Sequence, residues 1–381
     1  MSKIARIEMG RFDYPVVGQF KFLKPGPDGK VYRPSILIRI TDDDGAQGWG
    51  QAVPVPTWTY ETVETVETTL ERYLAPVLLG VDPFDVEEVH ARMNDAIKPA
   101  FTIGQPLCTA AVDLACYDLI GRKSGRSVCD LLGGSNQAGL TLSWTVASSD
   151  WSVVEQQLEE GHRRGYRHFN IKVGAPQMPP YDIELARKVR AFAPDGFLWA
   201  DANTGYDLGA ALALAPKLAD AGVDVLESPL PPNRISGYQA LKRQGALPIL
   251  MDEGIISPVE AEEFIRLEMI DGIAMKPARC AGIRNSERII RIVKEEGLLL
   301  LGSGLTDPDL ALAAAVQVYT WAGITHPCAL NGPQFLADRL SGDSLVPLND
   351  RLLRPNGPGL GIPLDDRAEA CLRVIIEPLS H

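Results

Sequence analysis

Five charged residues, Lys172, Asp201, Glu227, Asp252 and Lys276, stand 29, 26, 25 and 24 residues apart. Each closes a short apolar run or lies just beyond it: 169–172, 197–201, 223–227, 247–252 and 273–276. One functional residue per period, always at the C-terminal end of a strand, is how a parallel β/α barrel assembles a site on one face. Strands are read near 140–146, 168–172, 197–201, 223–227, 248–252, 271–276, 298–303 and 328–331. Between them lie helices such as 182–192, 209–221, 258–267, 283–296 and 309–322. Strands alternating with helices of this length imply parallel βαβ units, and eight strands imply closure into a barrel. An open doubly wound sheet is the competing architecture, but no Gly-x-Gly-x-x-Gly turn follows the first strand.

The first 125 residues have a different grammar. Segments 4–12 and 35–41 alternate as strands, 42–45 is an acidic turn, and 60–74, 83–93 and 106–124 read as helices. This is an α+β block. The tail contains Asn356-Gly357-Pro358-Gly359-Leu360-Gly361, a loop expected to return the chain to that block.

Composition narrows the function. A net charge of −12 over 381 residues argues against a nucleic-acid partner, which needs a basic face. No run of 18 apolar residues suggests a membrane span, and no signal-type segment follows the first residues. The six cysteines form no Cys-x-x-Cys pair, so they read as thiols of a cytoplasmic protein rather than disulfides or zinc ligands.

The residue types carry the chemistry. Asp201, Glu227 and Asp252 on three neighbouring strands would repel one another unless a cation joined them. Mg²⁺ takes such oxygens and leaves room for a substrate carboxylate. Strand-end carboxylates that only cap helices are the alternative for each acid taken singly. Asn203 and Glu253, just beyond two of these acids, are candidates to orient them. Lys172 precedes the trio by one strand and Lys276 follows it by one, which sets an amine on either side of a bound α-carbon. Burial and nearby positive charge disfavour an ammonium, so one lysine is expected to be neutral and remove a proton while the other delivers one.

On these motifs the chain resembles the enolase superfamily, in particular the muconate-lactonizing enzyme subgroup. The matching motifs are Asn170-Ile171-Lys172, Asp201-Ala202-Asn203, Leu226-Glu227-Ser228-Pro229, Met251-Asp252-Glu253 and Met275-Lys276-Pro277-Ala278-Arg279. The resemblance implies a (β/α)7β TIM-like barrel at 126–350 with an N-terminal α+β capping domain at 1–125, completed by 351–381. It also implies Mg²⁺ and abstraction of the proton α to a carboxylate through an enediolate. A Lys or His base with Mg²⁺ is the general pattern for this superfamily. Homo-oligomers are common in the family. Three departures stand out. Asn170 replaces the first lysine of the family's Lys-x-Lys, Ser228 stands where Gln is commoner, and 303–309 lacks an expected Glu, for which Asp307 is the substitute.

The resemblance also puts two capping loops, 16–25 and 53–60, over the barrel mouth. Their aromatics, Phe20, Phe22, Trp58 and Tyr60, are candidates to cover a ring or a cation. Asp307 and Asp309 are candidate counter-charges, and Asn331 is the polar residue of the last strand. Arg279 is the one arginine placed to meet a second carboxylate. These features favour racemisation or epimerisation of an amino acid or N-substituted, proline-like amino acid. Cycloisomerisation of the muconate type or dehydration is the alternative. An idle metal-binding barrel is the non-enzymatic alternative.

Overall fold

The computed structural model describes residues 2–18, 22–100 and 103–378, so Phe20 lies outside the described residues. The chain opens with β1 (Ile4–Pro15), β2 (Tyr32–Asp42) and β3 (Gln47–Ala52), joined antiparallel. The β2–β3 turn is tied by Asp42 Oδ1, which accepts from the backbone N–H of Asp44 at 3.1 Å and Ala46 at 2.8 Å. Ile7, Met9, Ile36, Ile38 and Ile40 pack against Val112, Ala115 and Leu119 of the helix Pro106–Ser124. That helix approaches β3 closely. A Cβ on Gly48 or Gly50 would overlap the carbonyl oxygen of Ala115 or Ala111, so only glycine permits this spacing.

The second part contains β4 (Gly139–Thr141), β5 (Trp144–Val146), β6 (Phe169–Lys172), β7 (Leu198–Asp201), β8 (Val225–Glu227), β9 (Ile249–Met251), β10 (Gly272–Met275) and β11 (Leu299–Gly302). β5 to β11 form one parallel sheet in chain order. The eighth place is held by 328–330 through single parallel bridges, Leu142↔Cys328 and Ser303↔Ala329. Gln334 completes the seam: the Thr145 N–H donates to its Oε1 at 3.0 Å, and its Nε2 donates to the Thr145 carbonyl at 2.8 Å. A side chain thus substitutes for part of a ladder. The strand expected at 140–146 is in fact two. β4 turns away to pair antiparallel with β12 (Arg351–Leu353), and only β5 enters the barrel sheet.

Seven helices follow β5 to β11, from Trp151–Arg163 to Asp309–Ala322. Several start on a side-chain cap, including Asp150, Asp207 and Ser257. Strand alternation sorts the side chains. Phe169, Ile171, Leu198, Ala200, Leu226, Ile249 and Ile273 belong to the main core shared with the helices. Trp199, Val225, Leu250, Ala274, Leu301 and Ala329 form a separate cluster that plugs the barrel interior. Two residues further along each strand, with the same parity, come Asp201, Glu227, Asp252, Lys276, Ser303 and Asn331. This ring is therefore built directly on the plug.

The chain ends in β13 (Arg373–Ile376), which pairs antiparallel with the far edge of β1. On the way Leu360 N–H donates to the buried Asp118 at 2.8 Å. Among the described residues no helix is long and apolar enough to cross a membrane.

Candidate active site

The register aligns the ring. Lys172 pairs with Asp201 and Asp201 with Glu227 across β6, β7 and β8. Lys172, Asp201, Glu227, Asp252 and Lys276 are all buried. With eight barrel positions, the β6 and β10 strands lie four apart, so the two lysines approach the ring from opposite sides.

The loops leaving these strands are strained. Asn203 (φ 43°), Thr204 (63°), Ser228 (43°), Ala281 (60°) and Thr306 (56°) all adopt left-handed backbone without being glycine. Residues held this way cluster at ligand sites, where the surroundings over-determine them. Ser228 makes use of its turn: its hydroxyl accepts from the Asp252 N–H at 3.1 Å.

Each flanking acid faces its own cation. Lys172 Nζ donates to Asp201 Oδ2, and Lys276 Nζ donates to Asp252 Oδ2. Arg279 Nη2 donates to both the Asp252 side chain and its carbonyl. Arg279 is thus committed to Asp252 rather than to a second substrate carboxylate. Asn203 ties two acids together, its Nδ2 donating to Asp201 Oδ2 at 3.0 Å and to Glu253 Oε1 at 3.2 Å. Burial pushes the Glu253 carboxyl up, and the Asp252 and Asp201 charges push it further.

Burial pulls the Lys172 ammonium down, but Asp201, Glu227 and Asp252 outweigh it and raise its pKa. Asp252 runs the other way from Glu227. Burial would raise it, yet Arg279 and Lys276 hold it well below the usual carboxylate range. Glu227 is driven well above that range by burial and by the charges of Asp201 and Asp252, and its Oε1 is buried without a hydrogen-bond partner.

That orphaned oxygen between two carboxylates is the donor chemistry a divalent cation satisfies, so Asp201, Glu227 and Asp252 fit one. Their oxygens do not converge as closely as the sequence led us to expect, because Asp201 and Asp252 are turned to their own cations. Among the described residues, the one acidic triple with ligand atoms within 4.8 Å of one another is Asp42, Asp43 and Asp44. Asp43 and Asp44 are exposed there, and Lys123 already bridges Asp42 at 2.6 Å and Asp44 at 2.8 Å. It is a turn.

A lid covers the ring. Phe22 and Trp58 stack with centroids 4.7 Å apart at 8°, and Lys276 Nζ lies 4.8 Å from the Trp58 ring centre. Tyr60, expected beside them, keeps 51% of its surface exposed. Asp307 is buried, with Oδ1 accepting from the Leu305 N–H at 3.2 Å and Oδ2 unpartnered. Asn331 Oδ1 and both polar atoms of Asn170 are also buried and unpartnered. Asp309 is no counter-charge at the ring, since it accepts from the N–H groups of Leu340 and Ser341, both at 3.0 Å.

Arg33 was not anticipated. Its fully buried guanidinium donates to the carbonyls of Val53 (2.6 Å), Pro54 (3.1 Å) and Leu305 (2.9 Å), linking the lid loop to the loop after β11. Nothing in the sequence distinguishes this arginine from a surface strand residue.

Two family models match. Residues 31–133 match the mandelate racemase / muconate lactonizing enzyme N-terminal domain, and residues 153–368 match the enolase C-terminal domain-like family. The chain is 33% identical over 340 residues to a chloromuconate cycloisomerase of Cupriavidus necator, covering 88% of this chain and 90% of the relative. The protein belongs to the mandelate racemase/muconate lactonizing enzyme family, within the enolase superfamily. An N-succinyl-L-Arg/Lys racemase of Bacillus cereus is 27% identical, over 87% of this chain and 88% of its own length. Among solved structures, 2-chloromuconate cycloisomerase from Rhodococcus opacus 1CP superposes with a TM-score of 0.86 at 27% identity, covering 98% of this chain and all of that one. The capping sheet and the (β/α)7β barrel are this family's fold.

Proposed function

We propose that the protein is a cycloisomerase-type isomerase that moves a proton at the α-carbon of a small carboxylate. The observation that carries this is the buried ring: Lys172 and Lys276 set on opposite sides of three acids. Asp201, Glu227 and Asp252 would hold a divalent ion such as Mg²⁺, which when bound supplies charge stabilisation at carboxylate oxygens. Lys172 holds the transferable proton at Nζ. In ring closure a carboxylate oxygen of an unsaturated acid bonds to the alkene, the alkene electron pair moves to the α-carbon, and Lys172 protonates that carbon. Ring opening reverses each movement, the proton returning to Lys172. Lys276, hydrogen-bonded to Asp252 and beside the Trp58 ring, stands on the other side. The lid aromatics exclude water. The cycloisomerase relative favours this reading over the amino-acid racemisation expected from the sequence.

Racemisation remains as a second reading because opposed lysines reach both faces of one carbon, and a racemase is among the relatives. Muconate and chloromuconate on one side, and N-succinyl-L-lysine on the other, separate the two when incubated with protein and Mg²⁺ in D₂O. Lactone formation with deuterium at the α-carbon supports the cycloisomerase. Loss of optical rotation with wash-in supports the racemase. No exchange with any carboxylate in a broad panel would leave only the idle barrel.

A further inference from the structure

A cavity of about 190 Å³ lies outside the charged ring, where the capping block meets two barrel helices. Its wall takes His90 from the helix Val86–Ala96, Thr109 from Pro106–Ser124, and Ser257 from the turn before Pro258–Arg266. Arg284, Asn285 and Arg288 come from Ile283–Glu295. The volume holds several waters or one small ligand. The loops that leave Asp252 and Lys276 end in this wall, at Ser257 and at the first turn of 283–295, but no ring residue lines it.

The proposed reaction uses none of these side chains, yet several are buried with polar atoms to spare. His90 and Asn285 are only 4% and 5% exposed. Asp113 faces His90 Nε2 at 2.8 Å and accepts from the Ile283 N–H at 2.5 Å. A carboxylate only accepts, so Nε2 carries the hydrogen. Asn285 Oδ1 accepts from Arg284 Nη1 at 3.0 Å, which leaves the N–H₂ end of that amide over. His90 Nδ1, Asn285 Nδ2 and the Thr109 hydroxyl make no hydrogen bond among the described residues. Arg284 and Arg288 share one carboxylate, Glu87, each at 2.7 Å, so one positive charge is left over at the rim. The other two acids nearby are answered locally, Asp113 as above and Glu260 by the Ser257 hydroxyl. The helix N-termini at 258 and 283 add partial positive charge.

We infer that this cavity binds a small oxyanion that keeps a hydroxyl, such as hydrogen phosphate or a short hydroxy acid. The anionic oxygens accept from Asn285 Nδ2, the Thr109 hydroxyl and the remaining N–H groups of Arg288. The hydroxyl donates to His90 Nδ1. Neither a cation nor an apolar molecule meets this set. Occupancy is read without turnover, so it stands apart from the proposed reaction.

Calorimetry with phosphate and lactate, each set against a counterpart lacking the hydroxyl (sulfate and propionate), tests the site. Saturable binding at least tenfold tighter than the counterpart is expected, because a missing hydroxyl leaves His90 unpaired. Tighter binding of phosphate points to a phosphate-type ligand, and tighter binding of lactate to a hydroxy acid. Arg288→Met removes a side chain that is 48% exposed, so the fold tolerates it, and Thr109→Val is isosteric. Each should weaken binding by roughly tenfold, while Lys172→Ala in the ring leaves it unchanged. No saturable binding of phosphate or lactate overturns the site, and so does binding that survives both cavity variants or falls with Lys172→Ala. Sulfate or propionate bound as tightly overturns the recognition of a hydroxyl by His90.

Discussion

Glu227 has the most to gain from a cation, because its buried oxygen lacks a partner while Asp201 and Asp252 press on it. Glu227→Gln removes a charged ligand. We expect it to weaken Mg²⁺ binding by at least about 100-fold in calorimetry, since even changes to groups supporting a metal ligand cost 10–100-fold. Lys172→Ala should lower α-proton exchange by about 10²–10⁴-fold with KM changed less, the range typical of a general acid–base group. Arg279→Met strips Asp252 of its guanidinium, and breaking a buried ion pair costs about 3–5 kcal/mol. A lower urea midpoint with unchanged slope would register it. The ring members were legible because their spacing and their type point the same way. What each bonds was not. Period says which residue reaches the mouth, but only three-dimensional packing says that Arg279 turns back onto Asp252, or that Lys172 donates to Asp201.

Among the elements, the helix Pro106–Ser124 and the lid loop before it matter most. Glu61 stands between them, accepting from the N–H groups of Leu107 at 2.6 Å and Cys108 at 3.0 Å. Burial pushes its carboxyl up to about 7, against the pull of those two N–H groups. An acid whose folded pKa is raised binds its proton more tightly in the native state. Its contribution is therefore complete below about pH 4.5 and is lost as pH rises through about 7, amounting to roughly 3 kcal/mol. Urea unfolding between pH 5 and 8 should show this decline, and Glu61→Gln should flatten it. Gly50→Ala forces β3 away from the same helix and should lower the unfolding midpoint sharply, whereas Gly45→Ala, with open space around it but a φ of 81°, should cost about 1 kcal/mol or less. Helices 106–124 and 309–322 were readable to the residue, because Pro106 and Gly125, and Pro308 and Gly323, punctuate them. The split of 140–146 was not, because β4 takes its partner, β12, from some two hundred residues away.

For the molecule as a whole, the fold class followed from the alternation of strands and helices, and the last strand read near 328–331 is where the barrel closes; the side-chain part of that seam was not legible. Gln334 carries no strand pattern, yet its amide bridges the Thr145 backbone across the seam. The pairing of β1 with β13 carries a consequence for biosynthesis. Residues 4–15 are synthesised long before residues 373–376, which pair with one edge of that strand. Until those residues emerge the nascent chain carries an open strand edge, which is a template for mispairing. The barrel can close before that edge is sealed, so a segment made late acts as the fastener of one made early.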